Sequence, residues 1–223
     1  MRTPDGDGRS PRLVWYTSYG SNTHAHRLSY YLMGGRPPGA ARGCPGSRDP
    51  RPPAASVPVE LAGVLYFATE SPVWTGGRAF YDPDAPGRVL ARAYLVSTEQ
   101  FSDIAAQEMY REPGTDLDLT GVLRDGRAVL GPGRYETLVC AGTLRGHPLL
   151  TFTAPWRVEE VAGNAPSAGY LRHLCAGLTE TGAWTPRTLA TYLARCPGAA
   201  GRWSAEEVAA LLRAERDVRF PPA

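Results

Sequence analysis

The ten residues Leu13-Val-Trp-Tyr-Thr-Ser-Tyr-Gly-Ser-Asn22 decide how the rest of this chain is read. The run from Leu13 to Ser18 is apolar and rich in aromatic and β-branched side chains, the composition of a strand. It passes directly into Tyr19-Gly20-Ser21-Asn22. Helical patterning then runs from about Thr23 to Met33, with Gly34-Gly35 in the position of a helix stop. A strand-to-helix junction leaves backbone N–H groups unpaired and aimed outward, a setting suited to a carboxylate or a developing oxyanion. Gly20 lets a ligand approach the backbone closely, and Ser21 or Asn22 can cap the helix. The simpler alternative is a well-capped turn that binds nothing.

Downstream, Leu61-Ala-Gly-Val-Leu-Tyr-Phe67 reads as a strand, Trp74-Thr-Gly-Gly-Arg-Ala-Phe-Tyr81 as a tight turn entering another, and Val89 to Val96 as a third. Thr98 is positioned to cap a helix running to about Tyr110, which Pro113-Gly114 ends. Further strands are expected at 135–144 and 149–153. After Pro166 the pattern turns helical. One helix covers about 167–180, Thr185-Pro186 opens a second, and the capping box Ser204-Ala-Glu-Glu207 opens a third. Residues 1–11 read as a disordered leader, and 36–58, rich in Pro, Gly and Arg, as an inserted loop that is either mobile or an ordered lid.

Within the expected helix at 99–110, Phe101, Ile104, Ala105 and Glu108 recur at i, i+3, i+4 and i+7. Three are apolar, so Glu108 occupies a core-facing slot, whereas Ser102, Asp103 and Gln107 fall mostly toward the polar side. A buried carboxylate without a cationic partner has a raised pKa and can accept and return a proton near neutrality. The alternative is a rim position paired with Arg111.

Composition narrows the chemistry. The 223 residues suffice for one domain with a real core, and the formal charge of +2 gives no argument for nucleic acid or an anionic membrane. All 24 strongly basic side chains are Arg, so lysine Schiff-base and P-loop lysine mechanisms are excluded. Cys44, Cys140, Cys175 and Cys196 are widely spaced and read as thiols. No run approaches the ~20 apolar residues of a membrane span, and no apolar segment follows the start, so a cytoplasmic protein is expected. His24 and His26 face different directions on a helix, His147 and His173 lack spaced partners, and no metal or cofactor is expected. Ser21 and Ser71 lack a nucleophile elbow. Glu70 is a lesser catalytic candidate. Trp184, Trp203 and Leu211-Leu212 are expected to pack the C-terminal helices.

Five ordered segments resemble the γ-glutamylcyclotransferase-like superfamily, in a divergent bacterial branch. They are Tyr19-Gly20-Ser21-Asn22 after the first strand, Trp74-Thr-Gly-Gly77, Pro86-Gly-Arg-Val-Leu-Ala91, the helix bearing Glu108, and Pro166-Ser-Ala-Gly-Tyr170 followed by Gly177 and Glu180. Thr23 and Met109 depart from the family's usual leucine and glycine. The resemblance implies an α+β fold: a small, curved, barrel-like, mostly antiparallel sheet flanked by helices over 12–183, with a helical C-terminal extension over 184–223. It implies Glu108 as the acid/base of an amide C–N lyase or acyl transferase that releases 5-oxoproline from a γ-glutamyl substrate. Tyr19, Gly20, Ser21, Asn22 and Tyr170 would hold that small-molecule substrate, and a homodimer is left open. The rivals are an amide hydrolase or zinc deacylase, disfavoured by the lack of clustered His and Asp ligands, and a ligand-binding domain without catalysis.

Overall fold

The computed structural model of the protein describes residues 11–37 and 42–219. The expected leader therefore lies outside the described residues except for Pro11, as do 38–41 of the expected insertion. Strand β1 (Leu13–Ser18) sits inside a six-stranded sheet, antiparallel to β5 (Arg88–Ser97) and parallel to β8 (His147–Thr153). Both faces of β1 are covered, which is why its sequence shows no polar alternation. Val14 and Tyr16 pack with Leu28, Phe101 and Ile104, while Trp15 turns to the other face with Ala93 and Leu149.

The remaining strands are β2 (Ala55–Ala62), β6 (Arg127–Val129) and β7 (Thr137–Leu144), giving the order β2-β5-β1-β8-β7-β6. β2 and β6 end this order without meeting, so the sheet is open and the barrel-like expectation is corrected. Gly63, just after β2, has φ of +115° and a position where a Cβ would stand 2.4 Å from the Asp82 carbonyl oxygen. The chain leaves the large sheet there and forms a separate hairpin, β3 (Val64–Ala68) with β4 (Arg78–Asp82). Leu61 to Phe67 is thus two strands in two sheets. β2 also takes in 55–58, read above as inserted loop. Pro58 is tolerated because β2 is an edge.

Helix α1 (Ala25–Met33) follows a 3-10 turn at Ser21–Thr23, and α2 (Thr98–Glu108) follows β5 directly. The α2 cap is Ser97 rather than Thr98. Ser97 Oγ accepts the Gln100 N–H at 3.1 Å, and Gln100 Oε1 accepts the Ser97 N–H at 3.0 Å. Phe101, Ile104 and Ala105 are buried as expected, but so are Ser102 and Asp103. Asp103 is 0% exposed because the segment before β2 straps across it. Its carboxylate receives Arg48 Nε at 3.0 Å, the Arg48 N–H at 2.8 Å and the Gly114 N–H at 3.0 Å. Gln100 Nε2 donates to the Arg51 carbonyl at 2.8 Å, and Ser47 Oγ to that of Tyr31 at 2.9 Å. Over its described residues this strap is tied to α1 and α2 by these bonds.

α3 (Thr120–Asp125) and β6 were not expected; they are short and meet at Gly126, whose φ is +77°. Helices α4 (Ala168–Thr179), α5 (Pro186–Arg195) and α6 (Ala205–Arg219) build the C-terminal third. Leu174, Leu178, Leu189, Leu193 and Val208 share one cluster with Leu65, Phe67 and Tyr81. The Phe67 N–H donates to the Pro197 carbonyl at 2.8 Å. The last two helices are therefore continuous with the core, and Trp184 and Trp203 pack against it as expected.

Candidate active site

The turn after β1 is pinned from behind. Its own bonds run from the Thr23 N–H to the Gly20 carbonyl (3.0 Å) and from the His24 N–H to that of Ser21 (3.3 Å). The N–H groups of Ser21 and Asn22, at the turn's opening, find no acceptor within it. The Thr23 carbonyl accepts from Tyr94 Oη at 3.0 Å and from Arg92 Nη1 at 3.2 Å. Glu180 accepts from Arg92 Nη1 at 2.6 Å and from the Ala25 N–H at 3.1 Å, and lies 3.3 Å from His24 Nδ1. α4 crosses against this turn at Gly177, where a Cβ would stand 2.5 Å from both His24 N and Thr23 Oγ1. Gly177 and Glu180 thus hold the turn in place.

Glu108 ends α2 facing this turn. Asn22 Nδ2 donates to its Oε1 at 3.1 Å and to Tyr16 Oη at 3.2 Å, and the Tyr31 hydroxyl also hydrogen-bonds the carboxylate. Arg111, the expected rival partner, pairs instead with Glu136. Among the described residues no basic side chain lies within 4.0 Å of Glu108. The residue as a whole is half-buried, but its carboxyl group is directed inward and desolvation raises its pKa; the hydrogen bond from Tyr31, the charge of Arg27 and the hydrogen bond from Asn22 offset part of that. Asp103, five residues earlier, is more deeply enclosed but carries Arg48 on it. The two carboxylates of one helix therefore differ in the presence of a counter-charge.

Glu108, Tyr19, Gly20, Ser21, Asn22 and Tyr170 all line one cavity of about 40 Å³. Asn22 is 2% exposed, and its Oδ1 has no hydrogen-bond partner, so an unmet acceptor stands in the wall beside the carboxylate. Tyr170 enters from α4. Ser167 caps that helix by accepting the Tyr170 N–H at 3.2 Å, and its hydroxyl donates to the Trp74 carbonyl at 2.6 Å. The Tyr170 ring stacks on Trp74 with centroids 5.2 Å apart. Its hydroxyl oxygen accepts the Ala79 N–H at 3.4 Å, leaving the O–H as a donor, and burial raises its pKa so that it stays protonated. Tyr19 differs: its hydroxyl donates to the Phe152 carbonyl at 2.8 Å, so it is a wall rather than a ligand donor.

Three further tyrosines escaped the sequence reading. Tyr16 and Tyr135 line the cavity, and Tyr31 reaches Glu108. The signal was the choice of Tyr over Phe in buried runs, since an enclosed hydroxyl needs a partner. His173, set aside above, lies one turn beyond Tyr170 and joins its Nε2 to the Ser21 carbonyl at 2.9 Å. It stacks on His24 at 5.0 Å and meets Trp74 at 4.7 Å. Burial lowers its pKa to about 4, so it is neutral in the fold and Nε2–H donates to Ser21. An unfolded chain protonates histidine at about 6.5. The unfolded state thus binds more protons between those values, and stability is complete above 6.5 and lost as pH falls toward 4. His173→Gln is expected to flatten that limb, read as urea midpoint against pH.

Other candidates resolve into structure. Glu70 accepts the Gly76 N–H at 2.5 Å and Asn164 Nδ2 at 2.9 Å, bracing the turn that carries Trp74. Among the described residues no three His, Cys, Asp or Glu side chains are grouped to hold a metal, and no helix is long and apolar enough to cross a membrane.

No family model matches the chain. A protein of Arabidopsis thaliana named histone deacetylase 5 is 31% identical over 198 residues, 81% of this chain; the chain spans 30% of that protein's length. A crystal structure of an uncharacterized protein from Homo sapiens aligns with 91% of this chain and 99% of its own, at 17% identity and a TM-score of 0.50. A structure named gamma-glutamyl cyclotransferase aligns over the same shares at 16% identity and a TM-score of 0.49. The open six-stranded sheet with its separate hairpin and flanking helices is thus a fold this chain shares with the human protein.

Proposed function

We propose that the protein is a γ-glutamyl cyclotransferase-type enzyme, releasing 5-oxoproline and a free amine from a small γ-glutamyl compound. The observation that carries this reading is that Glu108, with no basic side chain within 4.0 Å among the described residues, lines one cavity with the opening residues of the turn and the unmet Asn22 Oδ1. Those residues are the ones that resemble the superfamily's motifs, brought together from 86 residues apart. An ammonium donates to Glu108 and Asn22 Oδ1. Glu108 removes one of its protons, and the freed amine attacks the substrate's own γ-carbonyl carbon. The resulting oxyanion accepts from the Tyr170 hydroxyl, while the N–H groups of Ser21 and Asn22 hold the substrate carboxylate. Glu108 then returns its proton to the departing nitrogen as the C–N bond breaks, and the second proton of the attacking nitrogen passes to the released amine, which leaves as an ammonium beside the neutral lactam. Because attack is intramolecular, folding the substrate into reach is the main task.

The test is incubation with a panel of γ-glutamyl amines and amino acids, with 5-oxoproline detected by mass spectrometry. Release without Glu108 or binding without release would sink the reading, the latter in favour of a ligand-binding domain. Histone deacetylation, named for the Arabidopsis relative, is not carried over, since the match takes in 30% of that protein.

Gly20→Ala probes the cavity itself. A Cβ at Gly20 would lie 3.5 Å from the Tyr170 hydroxyl and 3.9 Å from Ala79 Cβ, ordinary contacts, on a backbone with φ of −106°. The variant is expected to melt within about 2 °C of wild type yet lose at least about tenfold in kcat/KM, because the methyl takes space the substrate needs.

A further inference from the structure

Tyr16 is a phenol set in a wall of rings. Its ring centre lies 5.5 Å from that of Phe152, 6.2 Å from Phe101 and 6.4 Å from Tyr94, and 2% of the residue is exposed. Phenylalanine would satisfy that packing, so the hydroxyl needs its own explanation, because an enclosed hydroxyl is costly unless it is bonded. Burial raises its pKa and keeps it neutral, able both to accept and to donate. It lines the cavity and accepts from Asn22 Nδ2 at 3.2 Å, while the same nitrogen donates to Glu108 Oε1 at 3.1 Å. The two hydrogens of one amide are thus committed to Tyr16 and Glu108, and Asn22 Oδ1 is left without a partner.

An ionised carboxylate only accepts, whereas a phenol does either, so Glu108 turns the amide nitrogen toward itself and Tyr16 holds it there. With that hydroxyl removed, one N–H of the buried amide loses its acceptor, and the group is held from a single side. We propose, resting on the cyclotransferase reading above, that Tyr16 is a positioning residue of the reaction: its hydroxyl braces the Asn22 amide so that Nδ2 stays on Glu108 and Oδ1 stays open to the substrate ammonium.

The bond from Asn22 favours the ionised carboxylate, so loosening the amide raises the pH at which Glu108 gives up its proton. Carboxyl-carbon NMR of the ligand-free protein reads that midpoint, the Glu108 signal being the one missing from Glu108→Gln. Tyr16→Phe keeps the ring and is expected to raise the midpoint by at least about 0.4 unit, a change of about 2.5-fold in the ionisation equilibrium. Asn22→Leu keeps the shape of the amide without its polar atoms. In that background Tyr16→Phe is expected to add less than half of its own effect, since the group through which it acts is gone. Asn22→Ala supplies the background if the leucine variant does not fold. A smaller movement in Tyr16→Phe alone, or more than half of it in the second background, overturns the proposal. Tyr31, Arg27, Cys44, Arg134, Tyr135 and Tyr170 also share an electrostatic influence with Glu108. They stand in every protein compared, so their share cancels.

In turnover, the acid limb of kcat/KM for 5-oxoproline release is expected to move up by the same amount in Tyr16→Phe. A limb that stays put while the midpoint moves also overturns the proposal. If no γ-glutamyl compound yields 5-oxoproline, the cyclotransfer reading fails by itself, and the titration still decides whether Tyr16 braces the pair.

Discussion

On the cyclotransfer proposed above, Glu108→Gln is expected to lower 5-oxoproline release by about 10²–10⁴-fold, the range of a lost general acid/base, while the protein melts no lower than wild type at pH 7. The amide keeps the shape of the side chain and can still accept from Asn22 Nδ2. What it loses is the ability to take a proton. The stability half of the prediction follows from the raised pKa of Glu108, caused first by desolvation. The folded state holds that proton above the pH at which the unfolded chain has shed it. Between the ordinary carboxylate value and the raised one, the folded state binds more protons, so stability contributed by this group falls as pH rises. The glutamine variant lacks that fall, and its melting temperature relative to wild type is expected to rise across the same window. Activity moves the other way: kcat/KM of wild type should climb as pH passes up through the raised value, since the carboxylate is the active form. A variant with full turnover, or wild-type activity that declines on that rise, would refute the assignment.

Gly177→Ala is expected to damage both fold and site. A methyl there meets the His24 nitrogen and Thr23 Oγ1 at 2.5 Å, and the Thr23 backbone carbon at 2.6 Å. The obstacle is largely main chain held by Tyr94, Arg92 and Glu180, so it cannot swing aside as a flexible side-chain tip would. Overpacking of this kind costs about 1–3 kcal/mol, a fall of about 2–12 °C at this chain length. The helix that yields carries Tyr170 and His173, so turnover should drop by more than about tenfold even in the folded fraction. Thermal melts and kinetics below the transition check both parts. Gly169→Ala on the same helix, where a Cβ would meet only Ser167 Oγ at 3.9 Å, serves as the comparison.

The legible parts of this chain are those whose signals are local. The strand–turn–helix at 13–33, the caps at Thr185 and Ser204, and the apolar stripe Phe101–Ile104–Ala105 all rest on spacings within a few residues. Each is set by backbone geometry that neighbours alone dictate. What escaped depends on distant partners. Asp103 looked solvent-facing because helical periodicity cannot foresee a strap arriving from residue 48 to neutralise it. Leu61 to Phe67 looked like one strand because its composition is uniform, while the break at Gly63 is dictated by Asp82 across the hairpin. β2 was hidden by Pro58, which is acceptable only on an edge that the sequence does not announce. At the site, Glu108, Tyr170 and the turn, singled out by the sequence, line one cavity, but which hydroxyls are already engaged was not legible. Tyr19 is held by the Phe152 carbonyl, 133 residues away, and His173 acquires its role by meeting Ser21 from 152 residues away.

α4 serves two masters. It brings Tyr170 to the cavity and His173 to the Ser21 carbonyl, and through Leu174 and Leu178 it rests on the last two described helices. Because Leu174 and Leu178 pack directly on Leu189, Leu193 and Val208, a displacement of that pair bears on the helix that carries Tyr170. A neighbour that grips the last two described helices therefore presses on the cavity wall while standing far from Glu108.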